Sequence, residues 1–360
     1  MKRVHLPHVF AALSLSAFLL EPLALRAQED APELLTAVPE TPALAFLDAT
    51  TARILRPGSV RDFALALLSG TGESGTAKHG FAVEATPWFL VPGVAIDGRA
   101  YRDSRLAFLL ANAQLSIGTA RSEGEDTDTD LALGLRLTLA DRGDPLRSAE
   151  FRRVLADALL ECAPVQPDTT PSDACVSRET EAAWEAWTAD RWNAARLGLA
   201  AAWSVRLEES ELDDREYAGW GAWAVGALPL GSRGQLIAQL AREDRPELGP
   251  QPGFTDWSAG TRLLAGSPRI NGFVEYLALW RELDDPDIPE GESPDLEETE
   301  ALWSAGVEAR VAEGLWASAG FGTRLSQLLA DTEKTFVLLG LRWGISSAAR
   351  MHALGHGEIP

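Results

Sequence analysis

The stretch Leu131-Ala132-Leu133-Gly134-Leu135-Arg136-Leu137-Thr138-Leu139 decides the fold. Every odd position is leucine, and every even position is small or polar, with one arginine among them. A repeat of two belongs to extended chain, whose successive side chains point to opposite faces. The pattern returns downstream. Leu197, Leu199, Ala201, Trp203 and Val205 alternate with Arg196, Gly198, Ala200, Ala202, Ser204 and Arg206. Trp303, Ala305, Val307, Ala309 and Val311 alternate with Ser304, Gly306, Glu308 and Arg310.

Strands of a soluble sandwich alternate too, but their polar face is charged and solvated. Here the second face is rich in Gly, Ala and Ser with isolated charges, which suits a crowded, curved, polar interior. The first face is uniformly apolar, as lipid contact requires. Segment lengths of about 9–13 residues match a tilted strand crossing a bilayer. Unpaired backbone is so costly in lipid that such a sheet must close on itself. The expected fold is therefore all-β, an antiparallel transmembrane β-barrel of about 12 strands. The segments are 60–69, 79–91, 105–118, 129–140, 195–207, 216–228, 233–242, 254–265, 269–281, 300–312, 314–323 and 335–344. The weakest are 60–69 and 233–242. Nine of the twelve Trp fall in these segments, several near segment ends, where aromatic girdles sit in membrane barrels.

Composition agrees. The chain has 360 residues, 53 acidic against 32 basic side chains and a formal charge of −21. A mean hydropathy of −0.06 excludes a bundle of membrane helices, and 46% apolar residues exclude a disordered chain. The charge argues against nucleic acid as a partner. At the N-terminus, Lys2 and Arg3 precede an apolar run from about Val9 to Leu20, and Ala24-Leu25-Arg26-Ala27 forms a cleavage site. Residues 1–27 read as a signal peptide. The run is too short for a spanning helix, and no Cys lies near the site to carry a lipid anchor. Residues 28–59 form a periplasmic segment that is expected at or inside the inner mouth of the barrel, and 345–360 a tail.

Connection lengths give a second line of argument. Residues 229–232, 266–268 and Glu313 are tight turns, whereas 208–215, 243–253, 282–299 and 324–334 are longer. With both termini periplasmic, every tight turn falls inside and every longer loop outside. The outer loops are acidic, with Glu208, Glu209, Glu211, Asp213 and Asp214 in one and Asp284, Asp285, Asp287 and Glu290 in another. One periplasmic connection is long. In the insert 141–194, Phe151, Val154, Leu155, Ala158 and Leu159 recur at helical spacing. Ser177 is placed to cap a second helix presenting Trp184 and Trp187. Cys162 and Cys175 are expected to form a disulfide that pins this helical insert, since an exported chain meets an oxidising compartment.

The signal peptide, the alternating segments and the loop parity together resemble bacterial outer-membrane β-barrel proteins, over about residues 60–344. The resemblance is architectural. It implies the bacterial outer membrane as location, and outer-membrane lipid and lipopolysaccharide as partners. It implies a pore, a facilitated-diffusion channel, an adhesin or one of a few enzymes. Trp343 occupies the terminal aromatic position of such barrels, though a tail follows it.

No catalytic pattern stands out. His352 and His356 lack a third ligand, and Gly72-Glu73-Ser74-Gly75 departs from the nucleophile elbow. No enzyme activity, cofactor or metal is expected. By parity, Glu84, Arg136, Arg196, Arg206, Arg262, Glu275, Glu308, Arg310 and Arg342 face the lumen. They either pair across a narrow interior and seal it, or leave an Arg-lined constriction that favours anionic solutes. The expected function is a narrow, porin-like channel for small polar solutes. The alternative is a non-conducting barrel that acts as a membrane anchor or as a docking platform for a periplasmic or surface partner, through its loops and the insert 141–194.

Overall fold

A computed structural model describes residues 40–47, 54–57, 63–71, 77–87, 98–122, 128–162, 173–207, 215–247, 253–283, 297–312, 314–326 and 334–345. Twelve antiparallel strands close into one barrel. They are β1 (Phe63–Thr71), β2 (Ala77–Ala85), β3 (Ala113–Ser122), β4 (Thr129–Asp141), β5 (Arg196–Leu207), β6 (Arg215–Leu230), β7 (Gly234–Arg245), β8 (Phe254–Gly266), β9 (Ile270–Leu283), β10 (Glu297–Ala312), β11 (Leu315–Ser326) and β12 (Lys334–Ile345). Each strand pairs with its sequence neighbours, and β1 pairs with β12 from Phe63↔Ile345 to Thr71↔Val337. The weakly patterned 60–69 segment is thus the strand that closes the ring and removes the last open edge.

Alternation sets which face turns outward. In β5, burial alternates strictly from buried Arg196 through exposed Leu197 to buried Ala202 and exposed Trp203. Leu240, Val274 and Ile117 stand 63%, 57% and 54% exposed on the outer surface, an apolar belt that water would not tolerate on this scale. No helix among the described residues is long and apolar enough to cross a membrane. The architecture is a closed antiparallel β-barrel with an apolar outer face, the form in which strands can satisfy their backbone inside a bilayer.

The two ends differ. At the terminal end, where β1 begins and β12 finishes, turns at 231–233 and 267–269 are short. Gly231, at φ +64, supplies the left-handed residue such a tight turn needs. The same end carries helices α2 (Gly98–Asp103), α3 (Arg105–Ala111), α4 (Ala149–Leu160) and α5 (Asp173–Asp190). The other end, the loop end, carries the longer connections, including 246–253 and 284–296.

Four findings correct the sequence reading. Residues 105–111 are helical rather than extended, because the Ser104 hydroxyl accepts the Ala107 N–H and nucleates a turn there. Strand β2 ends at Ala85, short of the expected 91. Ser177 lies within α5, not at its cap, since the helix begins at Asp173. The barrel interior is also not uniformly polar, as Leu264, Phe273, Phe336 and Leu338 point into it. The insert otherwise forms as a helix pair joined by the Cys162–Cys175 disulfide. Phe151 packs edge-on against Trp184 and Trp187, and α5 is held to the barrel by Trp187 Nε1 donating to the Gly143 carbonyl at 3.0 Å. The segment expected as a signal peptide, the C-terminal tail with its two histidines, Ser74, Trp88 and most of the acidic loops lie outside the described residues.

Candidate functional site

The lumen holds a piece of the chain itself. Residues 40–47 and 54–57 lie inside the barrel, and almost every one is buried. Helix α1 (Pro42–Phe46) starts from Thr41, whose hydroxyl accepts the Leu44 N–H, with Pro42 in the first helical turn. Ala43, Leu44, Phe46, Leu47, Ile54 and Leu55 form one apolar cluster with wall residues that include Trp223, Val225, Ile237 and Leu264. Phe46 meets Trp223 edge-on at 6.2 Å, and the Arg245 guanidinium lies over the Phe46 ring and donates to its carbonyl.

The wall is small where the plug touches it. A Cβ on Gly134 would stand 2.8 Å from the Ala43 nitrogen, and one on Gly221 2.9 Å from the Phe46 ring. A Cβ on Gly260 would stand 2.9 Å from Ile54. Chain inside a barrel must also satisfy its backbone polar groups without water. Here wall side chains do so. The Ala43 N–H donates to Ser116, Ile54 to Glu275 and Leu55 to Gln239.

At the centre lies a six-membered charged cluster. Glu40 Oε1 accepts from Arg262 Nη1 at 3.1 Å and Arg342 Nη1 at 2.9 Å. Glu308 Oε1 accepts from Nη2 of the same two arginines, each at 2.8 Å. Arg56 donates to Glu308 Oε2 at 3.3 Å, and its backbone N–H to Glu40 Oε2 at 3.3 Å. Glu275 Oε1 stands 3.7 Å from Arg262 Nε and its Oε2 accepts the Ser304 hydroxyl. Three carboxylates thus balance three guanidiniums, all buried. Two of the six, Glu40 and Arg56, come from the plug.

The other lumen candidates pair nearby. Arg136 donates to Glu84 and to the Glu40 carbonyl. Arg196 pairs with Asp141 at 3.1 Å. Arg206, part-exposed towards the loop end, pairs with Asp130 at 3.1 Å. Arg310 is half-buried towards the terminal end. Parity therefore brings Arg262, Glu275, Glu308 and Arg342 into one cluster, with Glu84 and Arg136 at its edge, and leaves Arg196, Arg206 and Arg310 apart. Sequence reasoning placed residues 28–59 at or inside the inner mouth but did not single out Glu40 and Arg56 as partners of the wall charges, since they have no strand pattern around them. Their signal was the run of Gly and Ala on the inward face, which marks space reserved for a second layer of chain.

The Arg56 guanidinium also reaches the Trp192 ring, 6.0 Å from its centroid. Trp192 donates to the Ser232 carbonyl, and Asn193 donates to Gly231 and Gly234. Plug, helical insert and a wall turn meet at this point. Among the described residues no group of three or more His, Cys, Asp or Glu is placed to hold a metal ion.

No family model matches the sequence, and no curated protein matches it. Solved structures that align with it include the KdgM porin, at 4% identity and a TM-score of 0.38, covering 78% of this chain and 99% of that one. An outer membrane channel from Pseudomonas putida F1 aligns at 10% identity and a TM-score of 0.40, covering 80% and 96%. Omp33, an outer membrane protein of Acinetobacter baumannii, aligns at 10% and 0.34, covering 79% and 98%.

Proposed function

We propose that this chain is a non-enzymatic channel of the bacterial outer membrane for small polar solutes, held closed by its own residues 40–47 and 54–57. The apolar outer belt supports residence in a bilayer, and the end bearing the tight turns and helices is assigned to the periplasm. The observation that carries the proposal is how the plug is bound. Among its described residues the charges are balanced, Glu40 against Arg56, and so are those of the wall cluster it touches, Glu275 and Glu308 against Arg262 and Arg342. Withdrawing the plug leaves neither side with an uncompensated buried charge, the situation that makes breaking most buried pairs so costly. The Gly-lined wall then leaves an open bore. With the wall arginines paired to carboxylates, an Arg-lined anion constriction is not part of this reading.

The test is swelling of liposomes carrying either the full chain or a variant lacking residues 40–57, in graded polar solutes. The proposal expects swelling from the deletion variant, falling as solute size rises. No swelling from a deletion variant that still folds would favour the anchor reading, in which the filled barrel docks a periplasmic partner through 141–194.

A further inference from the structure

A row of residues crosses the outside of five adjacent strands near the loop end: Trp203 on β5, Trp220 on β6, Arg242 on β7, Trp257 on β8 and Trp280 on β9. Register links them, with Trp203 opposite Trp220, Arg242 opposite Trp257 and Trp257 opposite Trp280. All five are exposed, the four tryptophans by 36–49%. The tryptophans alone make an interfacial girdle, which needs no further explanation. The arginine does.

Its guanidinium carbon lies 5.8 Å from the Trp220 centroid and 5.3 Å from that of Trp257, so two indoles frame it. Among the described residues it forms no ion pair. Asp244, two residues further towards the rim, instead accepts the Thr255 hydroxyl at 3.5 Å. An outward arginine is costly at the bilayer centre and nearly free at the interface, and aromatic faces stabilise it without neutralising it. Among the described residues it has no anion beside it, and the headgroup layer at girdle depth is where phosphate is found. A planar guanidinium presents its donors as a fork that matches a phosphate, and the flanking indoles offer flat apolar surface to the sugar and acyl chains of the same lipid.

We propose that Arg242, with Trp220 and Trp257, binds the phosphate of a phosphorylated outer-leaflet glycolipid of the lipid A type. The site lies on the outside of the barrel and does not depend on whether the lumen opens.

The experiment is a titration of the full chain, folded in detergent micelles, with bisphosphorylated lipid A and with the same lipid A stripped of its phosphates, counting bound lipid by native mass spectrometry. The expected result is that stripping the phosphates weakens binding to the wild type about tenfold, the scale of one charge-assisted hydrogen bond. R242Q should weaken binding of the phosphorylated lipid by a similar factor and leave that of the stripped lipid unchanged. R242Q binding lipid A as tightly as the wild type overturns the proposal. So does a wild type indifferent to the phosphates, a comparison that holds even if R242Q fails to fold.

Discussion

Glu40, in the segment inside the barrel, and Arg342, on the last strand, lie 302 positions apart and are joined by a 2.9 Å hydrogen bond from Nη1 to Oε1. The bond ties the start of the described chain to its end through the middle of the lumen. Arg262 shares the same carboxylate oxygen, so this one side chain holds the plug to two walls of the barrel.

Glu40→Ala should loosen the plug. Removing one partner of a buried ion pair costs about 3–5 kcal/mol, and every 1.4 kcal/mol is tenfold in an equilibrium. Openings in single-channel recordings are expected to become on the order of a hundredfold more frequent than in the wild type. Unchanged opening frequency in a folded variant would show that Glu40 does not hold the plug.

A covalent staple should have the opposite effect. A Cβ on Gly198 would stand 4.0 Å from the Pro57 Cβ, within the spacing a disulfide accepts. The double variant P57C/G198C is expected to pass no current when oxidised and to regain wild-type openings on reduction. The single variant G198C controls for reduction of the native Cys162–Cys175 bond.

Much of this architecture is legible in the sequence, for a physical reason. Lipid demands apolar residues on one face of every strand, so Leu131 to Leu139 and Leu197 to Val205 display their orientation without help from neighbours. The plug escapes such reading because its environment is protein. Ala43, Leu44 and Phe46 are apolar all round their short helix, and Ile54-Leu55 is too brief to show any period. The helix at 105–111 was hidden because Leu106, Phe108 and Leu110 mimic alternation; the cap at Ser104 was the contrary sign. Glu308 and Arg262 were legible as inward residues, but Glu40, which shares the arginines Arg262 and Arg342 with Glu308, was not, since pairing across a lumen follows from three-dimensional closure and leaves no spacing in the chain.

Glu308→Gln should destabilise the barrel as well as the plug. Its carboxylate accepts from Arg56, Arg262 and Arg342, and the amide that replaces it leaves a buried positive excess. A loss of about 3–5 kcal/mol is expected, read as a lower temperature at which the compact gel band converts to the unfolded one. The same midpoint in variant and wild type would mean the cluster contributes little to the fold.

The helical insert should be separable from the barrel. Cys162 and Cys175 close a short loop at the far end of α4 and α5, worth about 3 kcal/mol by loop entropy. The double variant C162A/C175A is expected to become protease-sensitive within 141–194 while the barrel keeps its gel-band midpoint. A fall in that midpoint would show that insert and barrel unfold together.

The central claim is that residues 40–47 and 54–57 close an otherwise open bore, and planar-bilayer recording of the full chain beside its 40–57 deletion tests it most directly. The account predicts a full chain that is closed most of the time and a deletion variant with a steady, ohmic current. A folded deletion variant that remains silent, or a full chain already conducting at the same level, would contradict it.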